Sequence, residues 1–154
     1  MLTKTVRIGV VGYCPPTKFD EKLALDYIVD AYNRVSADFH GCEITIVSGL
    51  TYVGVLKIAY EEAKRRSWKT AGVACKKAQS HLLFPVDETP LIVGEKWGDE
   101  SDVFINGTSI PGTHHEHGLD AIIRIGVGEQ SIKETEFLKS KGKPTYEYDL
   151  PRIE

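Results

Sequence analysis

Two rhythms of apolar and polar positions alternate along the chain. From Thr5 to Val11 the apolar run is nearly unbroken, which suits a strand buried on both faces in a parallel sheet, and Gly12-Tyr13-Cys14-Pro15-Pro16 ends it as a loop. From Phe19 to about Val35, Ala24, Tyr27, Ile28, Ala31 and Val35 recur at helical spacing, while Asp20, Glu21, Lys22, Asp26 and Asp30 take the other face. The unit then repeats. Glu43 to Val47 is short and β-branched, Ser48-Gly49 breaks it, and Val55-Leu56, Ala59-Tyr60 and Ala63 form the apolar stripe of a second helix. Lys69 to Ala74 reads as a third strand, Leu91-Ile92-Val93 as a fourth, and Ala121 to Ile125 as a later one running into Gly126-Val127-Gly128. Ser131 to Lys141 reads as a helix with Gly142 as its C-cap, and Pro144 to Tyr148 as a terminal strand.

Strands alternating with helices through short loops predict an α/β fold, a small doubly wound parallel sheet with helices on both faces. Its 154 residues suffice for one domain, expected over 1–154, and no repeat, low-complexity tract or linker divides them. The segment from about 94 to 119 is rich in Gly, Asp, Ser, Thr and His and lacks periodicity. It is expected to be a long loop, an insertion or partly helical, and long loops in compact domains tend to carry function.

Composition narrows the class. Lys and Arg number 19 against 22 Asp and Glu, a net charge of −3, which argues against nucleic acid as a partner. The basic runs Lys64-Arg65-Arg66 and Lys139 to Lys143 fall at expected helix C-termini, where cations meet the carbonyl end of the dipole. Three widely spaced cysteines, Cys14, Cys42 and Cys75, form neither a CxxC pair nor a metal-ligand rhythm and fit a reducing, cytoplasmic compartment. The N-terminal apolar run is far too short to span a bilayer and leads into loop residues instead of a signal cleavage site, so no membrane partner is expected.

In an open parallel sheet the ligand occupies the crevice beyond the carboxyl ends of the strands. Three loops there are marked by glycine: Gly9 to Tyr13, Ser48-Gly49 through Thr51 to Gly54, and Gly126-Val127-Gly128 to Ser131. Glycine admits a phosphate close to the backbone, and a helix N-terminus offers free N–H groups. The same glycines also suit plain tight turns, and none of the loops spells GxGxxG or GxxxxGK[ST]. Their concurrence at three strand ends points to an anion cradle of Gly12, Tyr13, Ser48, Gly49, Thr51, Gly54, Gly126, Gly128, Gln130 and Ser131.

The stretch from Ser48-Gly49 through Gly54-Val55 to Ala59-Tyr60-Glu61-Glu62-Ala63-Lys64, followed by Lys69 to Val73, resembles the second phosphate loop, helix and third strand of the LOG-like (SLOG) Rossmann superfamily. Arg124 to Glu134, followed by Lys141-Gly142-Lys143-Pro144, is similar to that superfamily's glycine-rich loop ending in Ser/Thr-x-x-Glu and to the start of its last strand. The resemblance covers most of the chain outside about 76–119, and in length and spacing it lies nearest the molybdenum-cofactor carrier branch. It implies a Rossmann-like, LOG-like domain that binds a nucleotide or nucleotide-derived phosphate compound as a sensor or carrier. A pterin-type ligand is one form of this, and no other cofactor is assigned. The resemblance also implies a homodimer or larger homo-oligomer. The alternative it implies is an N-glycosidase or phosphoribohydrolase acting on a nucleoside 5′-monophosphate. That branch reads PGGxGTxxE, whereas here Ile125, Val127 and Gln130 depart from it, and no arginine between Arg66 and Arg124 can supply the hydrolase's upstream arginine.

Glu134 is the candidate catalytic residue, placed to hold ribose hydroxyls or to stabilise an oxocarbenium-like centre. Ser131-x-x-Glu134 is equally a capping box. His114-His115-Glu116-His117 suits a solvated loop or one wall of the crevice, and adjacent positions make a poor metal site, so no metal ligand is assigned. Arg124 or one of these histidines is expected to decide between turnover and binding if it reaches the crevice. Of the aromatic residues, Tyr13 and Tyr52 lie on the loops, Trp97 lies near them, and Trp68 and Tyr27 suit the core. Cys14 stands at a strand end without a histidine beside it in sequence and reads as a buried, inert thiol.

Overall fold

The computed structural model describes residues 4–154. In chain order the elements are β1 (Thr5–Gly12), α1 (Glu21–Asp38), β2 (Glu43–Ser48), α2 (Gly54–Arg65), β3 (Lys69–Ala74), a 3-10 turn (Lys76–Ser80), β4 (Leu91–Ile92), α3 (Ser101–Asn106), β5 (Ala121–Ile125), α4 (Glu129–Ser140) and β6 (Thr145–Tyr148). Asp20 caps α1 by accepting the Leu23 N–H at 3.0 Å. Both basic runs close helices: Glu62 holds Arg65 and Arg66 at the end of α2, and Lys139 in the last turn of α4 reaches Glu147.

All six strands are parallel, in the order β4-β3-β2-β1-β5-β6. Strands buried on both faces divide their side chains by a period of two. Val6, Ile8, Val10, Ile44, Ile46, Ile123 and Ile125 face α1 and α2, and Tyr27 and Trp68 pack at the border of that core. Val47, Ala71, Val73 and Ile122 face the opposite way, against Phe104 and Ile105 of α3 and Leu138 of α4. The chain is therefore a doubly wound α/β sheet with helices on both faces. The direction of winding reverses between β1 and β5, and a crevice opens beside that point, over the ends of β1, β2 and β3.

The irregular segment is partly helical. Its middle, α3, runs along the sheet face, so residues 94–100 sit at the carboxyl ends of the strands while 107–118 sit at their amino ends. Among the described residues no helix is long and apolar enough to cross a membrane.

Candidate functional site

The ends of β1, β2 and β3, the starts of α2 and α4, and the 97–104 segment enclose a cleft of about 490 Å³. This falls within the range of small-molecule sites. Val10, Val11, Val73, Leu56 and Phe104 supply apolar wall, and Trp97 and His81 stand together with ring centroids 5.8 Å apart. Two helices begin at this cleft without a side-chain cap, α2 after Val53 and α4 after Gly128. In α2 the Val55 N–H is taken by the carbonyl of Tyr13 at 2.9 Å. The start of α4 brings Gln130 and Ser131 onto the cleft wall.

Of the residues expected from sequence, Gly12, Ser48, Gly49, Thr51, Gln130, Ser131 and Glu134 share this lining. The Ser48 hydroxyl is already engaged, donating to the Val10 carbonyl at 2.7 Å. Tyr13, Gly54, Gly126 and Gly128 do not line the cleft. The Tyr13 ring is buried beneath it, and its hydroxyl donates to the Leu150 carbonyl and accepts the Val127 N–H, at 3.0 and 2.9 Å. Gly54 and Gly126 make room for that residue. A Cβ on Gly54 would stand 2.3 Å from the Tyr13 carbonyl oxygen, and one on Gly126 2.6 Å from the Tyr13 ring, both at positive φ. Tyr52 turns outward, stacking on Phe84 and donating to Glu61, whereas Trp97 lies on the cleft itself.

The Ser131–Glu134 capping box does not form. The helix starts two residues earlier than its apolar pattern suggests, which places Ser131 inside the first turn, and Glu134 turns instead to α3. Its Oε2 accepts the Ser101 hydroxyl at 2.6 Å. Glu134 is 5% exposed, and burial lifts its carboxyl to about 7, opposed by hydrogen bonds from Ser101 and Gln130 and reinforced by the charge of Glu100. Glu100 is itself raised by burial, and its Oε2 accepts the Gly98 N–H at 3.1 Å. Sequence reasoning missed Glu100 and His81. Only the aperiodic character of 94–119 hinted at Glu100, and nothing local marked His81. Cys14 is half-buried on the cleft wall, and burial pushes its thiol up to about 11, so it carries no thiolate at neutral pH.

The histidine loop is not a wall of this cleft. It lies at the opposite end of the sheet, where His114 and His117 flank a second cavity with Arg7, Lys69, Glu88 and Asp120. His115 is buried there and accepts the Arg7 Nε–H on Nδ1 at 2.9 Å, so its Nε2–H donates to the Phe104 carbonyl at 2.8 Å. Arg7 completes the network with a two-pronged pair to Glu88 at 2.7 and 3.0 Å. Arg124 also misses the cleft. It is buried against the Gly126 carbonyl, Asp149 and Glu147. Among the described residues no three His, Cys, Asp or Glu side chains converge as a metal site.

Fold and cleft together define the class: a Rossmann-like, doubly wound α/β protein whose crevice lies at the carboxyl ends of the parallel strands, beside the switch of strand order. In particular, the chain has the fold of the molybdenum cofactor carrier proteins. It is similar to the structure of the Moco carrier protein from Chlamydomonas reinhardtii, with a TM-score of 0.61 and 17% identity over 94% of this chain and 76% of that one. The molybdenum cofactor binding protein from the phototrophic bacterium Rippkaea orientalis is similar to the same degree, with a TM-score of 0.61 and 19% identity over 94% and 76% of the two chains. No protein-family model and no curated protein matches the chain.

Proposed function

We propose that the chain binds a phosphorylated heterocycle, a nucleotide or pterin-type cofactor, in this cleft and holds it without turnover as a carrier or sensor. The observation that supports it is the convergence of two helix N-termini, neither capped by a side chain, on one half-apolar cleft. Free N–H groups at the start of α4, together with the positive dipole end of α2, whose Val55 N–H the Tyr13 carbonyl already takes, stabilise a phosphate there. Among the described lining residues there is no Lys or Arg, so the backbone carries that task. Burial lifts the Glu134 carboxyl to about 7, so near neutral pH it adds less than a full negative charge to the cleft that takes the anion. The likeness in fold to molybdenum cofactor carriers agrees with a pterin-type ligand.

The second reading, hydrolysis of a nucleoside 5′-monophosphate, is favoured by one feature, a carboxyl poised near neutrality on the cleft wall. A thermal-shift screen with nucleoside monophosphates, ADP-ribose-type nucleotides and pterins separates the two. A ligand at about 100 times its Kd adds close to 3 kcal/mol. Stabilisation of both wild type and Glu134→Gln with no free base released is the expected result. Base released only with Glu134 intact would establish the hydrolase instead. In this reading the protein works as a cytoplasmic homo-oligomer, and a mass by light scattering of a single 17.1 kDa chain would count against that.

A further inference from the structure

The geometry points to a cleft that selects a planar heterocycle whose edge presents two adjacent N–H donors, as the 2-amino-4-oxopyrimidine half of guanine and of pterins does, with Glu134 and Glu100 facing that edge and Trp97 its face. This rests on the reading of the cleft above and deepens it. With the phosphate at the uncapped helix starts, the ring must lie along the rest of the cleft, and the charged groups there are carboxyls. Ser101 ties the two together, since it follows Glu100 in the chain and its hydroxyl is 2.6 Å from Glu134 Oε2.

A carboxylate offers two acceptor oxygens and no donor, so it matches two parallel N–H groups in a two-pronged pair. An edge with a lone pair toward it, such as that of adenine, would set acceptor against acceptor. Guanine and pterins present an N–H beside an exocyclic amino group, and hypoxanthine lacks the amino group.

Trp97 supplies the face. An indole that lines a cleft yet stays 52% exposed is outside the core and free to stack. Its turn is held by Asp99, whose Oδ2 accepts the Glu95 and Lys96 N–H groups at 3.0 and 2.9 Å. Phe104, Leu56 and Val11 line the same cleft with apolar surface.

The pair forms only with an ionised carboxylate, so the preference for a two-donor edge grows as Glu134 loses its proton. The titratable groups that share the cleft with it are Glu100 from the segment before α3, whose charge acts on it directly, His81, which follows the 3-10 turn, and Cys14 from the loop after β1. None of these is removed by Glu134→Gln, which therefore isolates the carboxyl.

Calorimetric titration with GMP, IMP and AMP at pH 6 and pH 8 tests the assignment, because GMP and IMP differ only in the 2-amino group and share one phosphate titration. At pH 8 GMP should bind the wild type at least about tenfold more tightly than IMP, and the ratio should shrink at pH 6. Glu134→Gln should bring the ratio to within about twofold at both pH values and raise AMP affinity at pH 8, since the amide can donate where the carboxylate sets acceptor against acceptor. Trp97→Ala should weaken GMP and IMP alike, by roughly tenfold. Should Glu134→Gln fold poorly, the wild-type pH series and Glu100→Gln, at a partly exposed position, carry the same comparison. Equal GMP and IMP affinities at pH 8 alongside measurable AMP binding would overturn the two-donor assignment alone. Failure of all three nucleotides and of a phosphorylated pterin to bind would overturn the phosphate reading of the cleft with it.

Discussion

Replacing Glu134 by glutamine should make the protein more stable relative to wild type as the pH rises. In the folded chain the carboxyl titrates at about 7, against an ordinary value of 4.5, chiefly because the group is 5% exposed. The folded state therefore holds its proton more tightly than the unfolded state. The stability this contributes is fully present below about pH 4.5 and is lost as the pH climbs through about 7. At about 1.4 kcal/mol for each tenfold change in proton affinity, the whole span is worth on the order of 3 kcal/mol, and roughly 2 to 3 kcal/mol of it falls between pH 5 and pH 8. Glutamine keeps an oxygen for the Ser101 hydroxyl but carries no ionisable proton, so the variant escapes that loss. For a chain of this size a change of 1 kcal/mol moves Tm by about 2–4 °C, so the difference in Tm between variant and wild type should shift by roughly 5–10 °C in the variant's favour from pH 5 to pH 8. Differential scanning calorimetry at both pH values in matched ionic strength measures it. A gap that stays constant with pH would refute the reasoning, since it would mean that Glu134 titrates in the folded chain as it does in the unfolded one.

The second buried titratable network works in the opposite direction. Burial lowers the pKa of His115, which accepts from Arg7 and so is neutral in the fold. Its contribution is present above about 6.5 and is lost as the pH falls, so His115→Gln should narrow the drop in stability between pH 7 and pH 5, read from urea midpoints; an unchanged drop would count against the network. Tyr13→Phe removes a hydroxyl with two buried partners and should cost about 1–3 kcal/mol while leaving nucleotide affinity unaltered, because the ring lies beneath the cleft and not on it. A selective loss of affinity would place Tyr13 in contact with the ligand. Gly54→Ala combines a φ of +59° with a Cβ 2.3 Å from the Tyr13 carbonyl oxygen. Left-handed strain alone is worth about 1–3 kcal/mol, so denaturant unfolding should show a loss of at least about 2 kcal/mol, and wild-type stability would show that the junction can yield.

Much of the fold is written in local spacing. β3 and β5 occupy the residues their apolar runs mark, Lys69–Ala74 and Ala121–Ile125, and α1, α2 and β2 differ from their patterns by a few residues at the ends. These patterns are legible because burial on one helix face or both strand faces imposes a period on neighbours within a turn or two. The alternation of strand and helix then dictates a parallel, doubly wound sheet, since each crossover must pack its helix on a face. The glycine-marked strand ends likewise pointed to the crevice, and Gly12, Gly49, Gln130 and Ser131 stand on it.

What tertiary structure decided is which groups meet. Glu134 could cap its own helix or turn elsewhere on the strength of Ser131-x-x-Glu134, and only the path of α3 brings Ser101 and Glu100 to it from 33 and 34 residues away. The same path carries His114 to His117 to the amino ends of the strands, because residues 94–100 and 107–118 lie on either side of α3. His115 meets Arg7 across 108 positions, and Tyr13 meets Leu150 across 137. Periodicity records whether a position faces inward, which is a property of its near neighbours. The partner it finds there, and the pKa that burial beside that partner imposes, depend on how distant segments pack, and that is resolved only when the sheet and its helices close around the cleft.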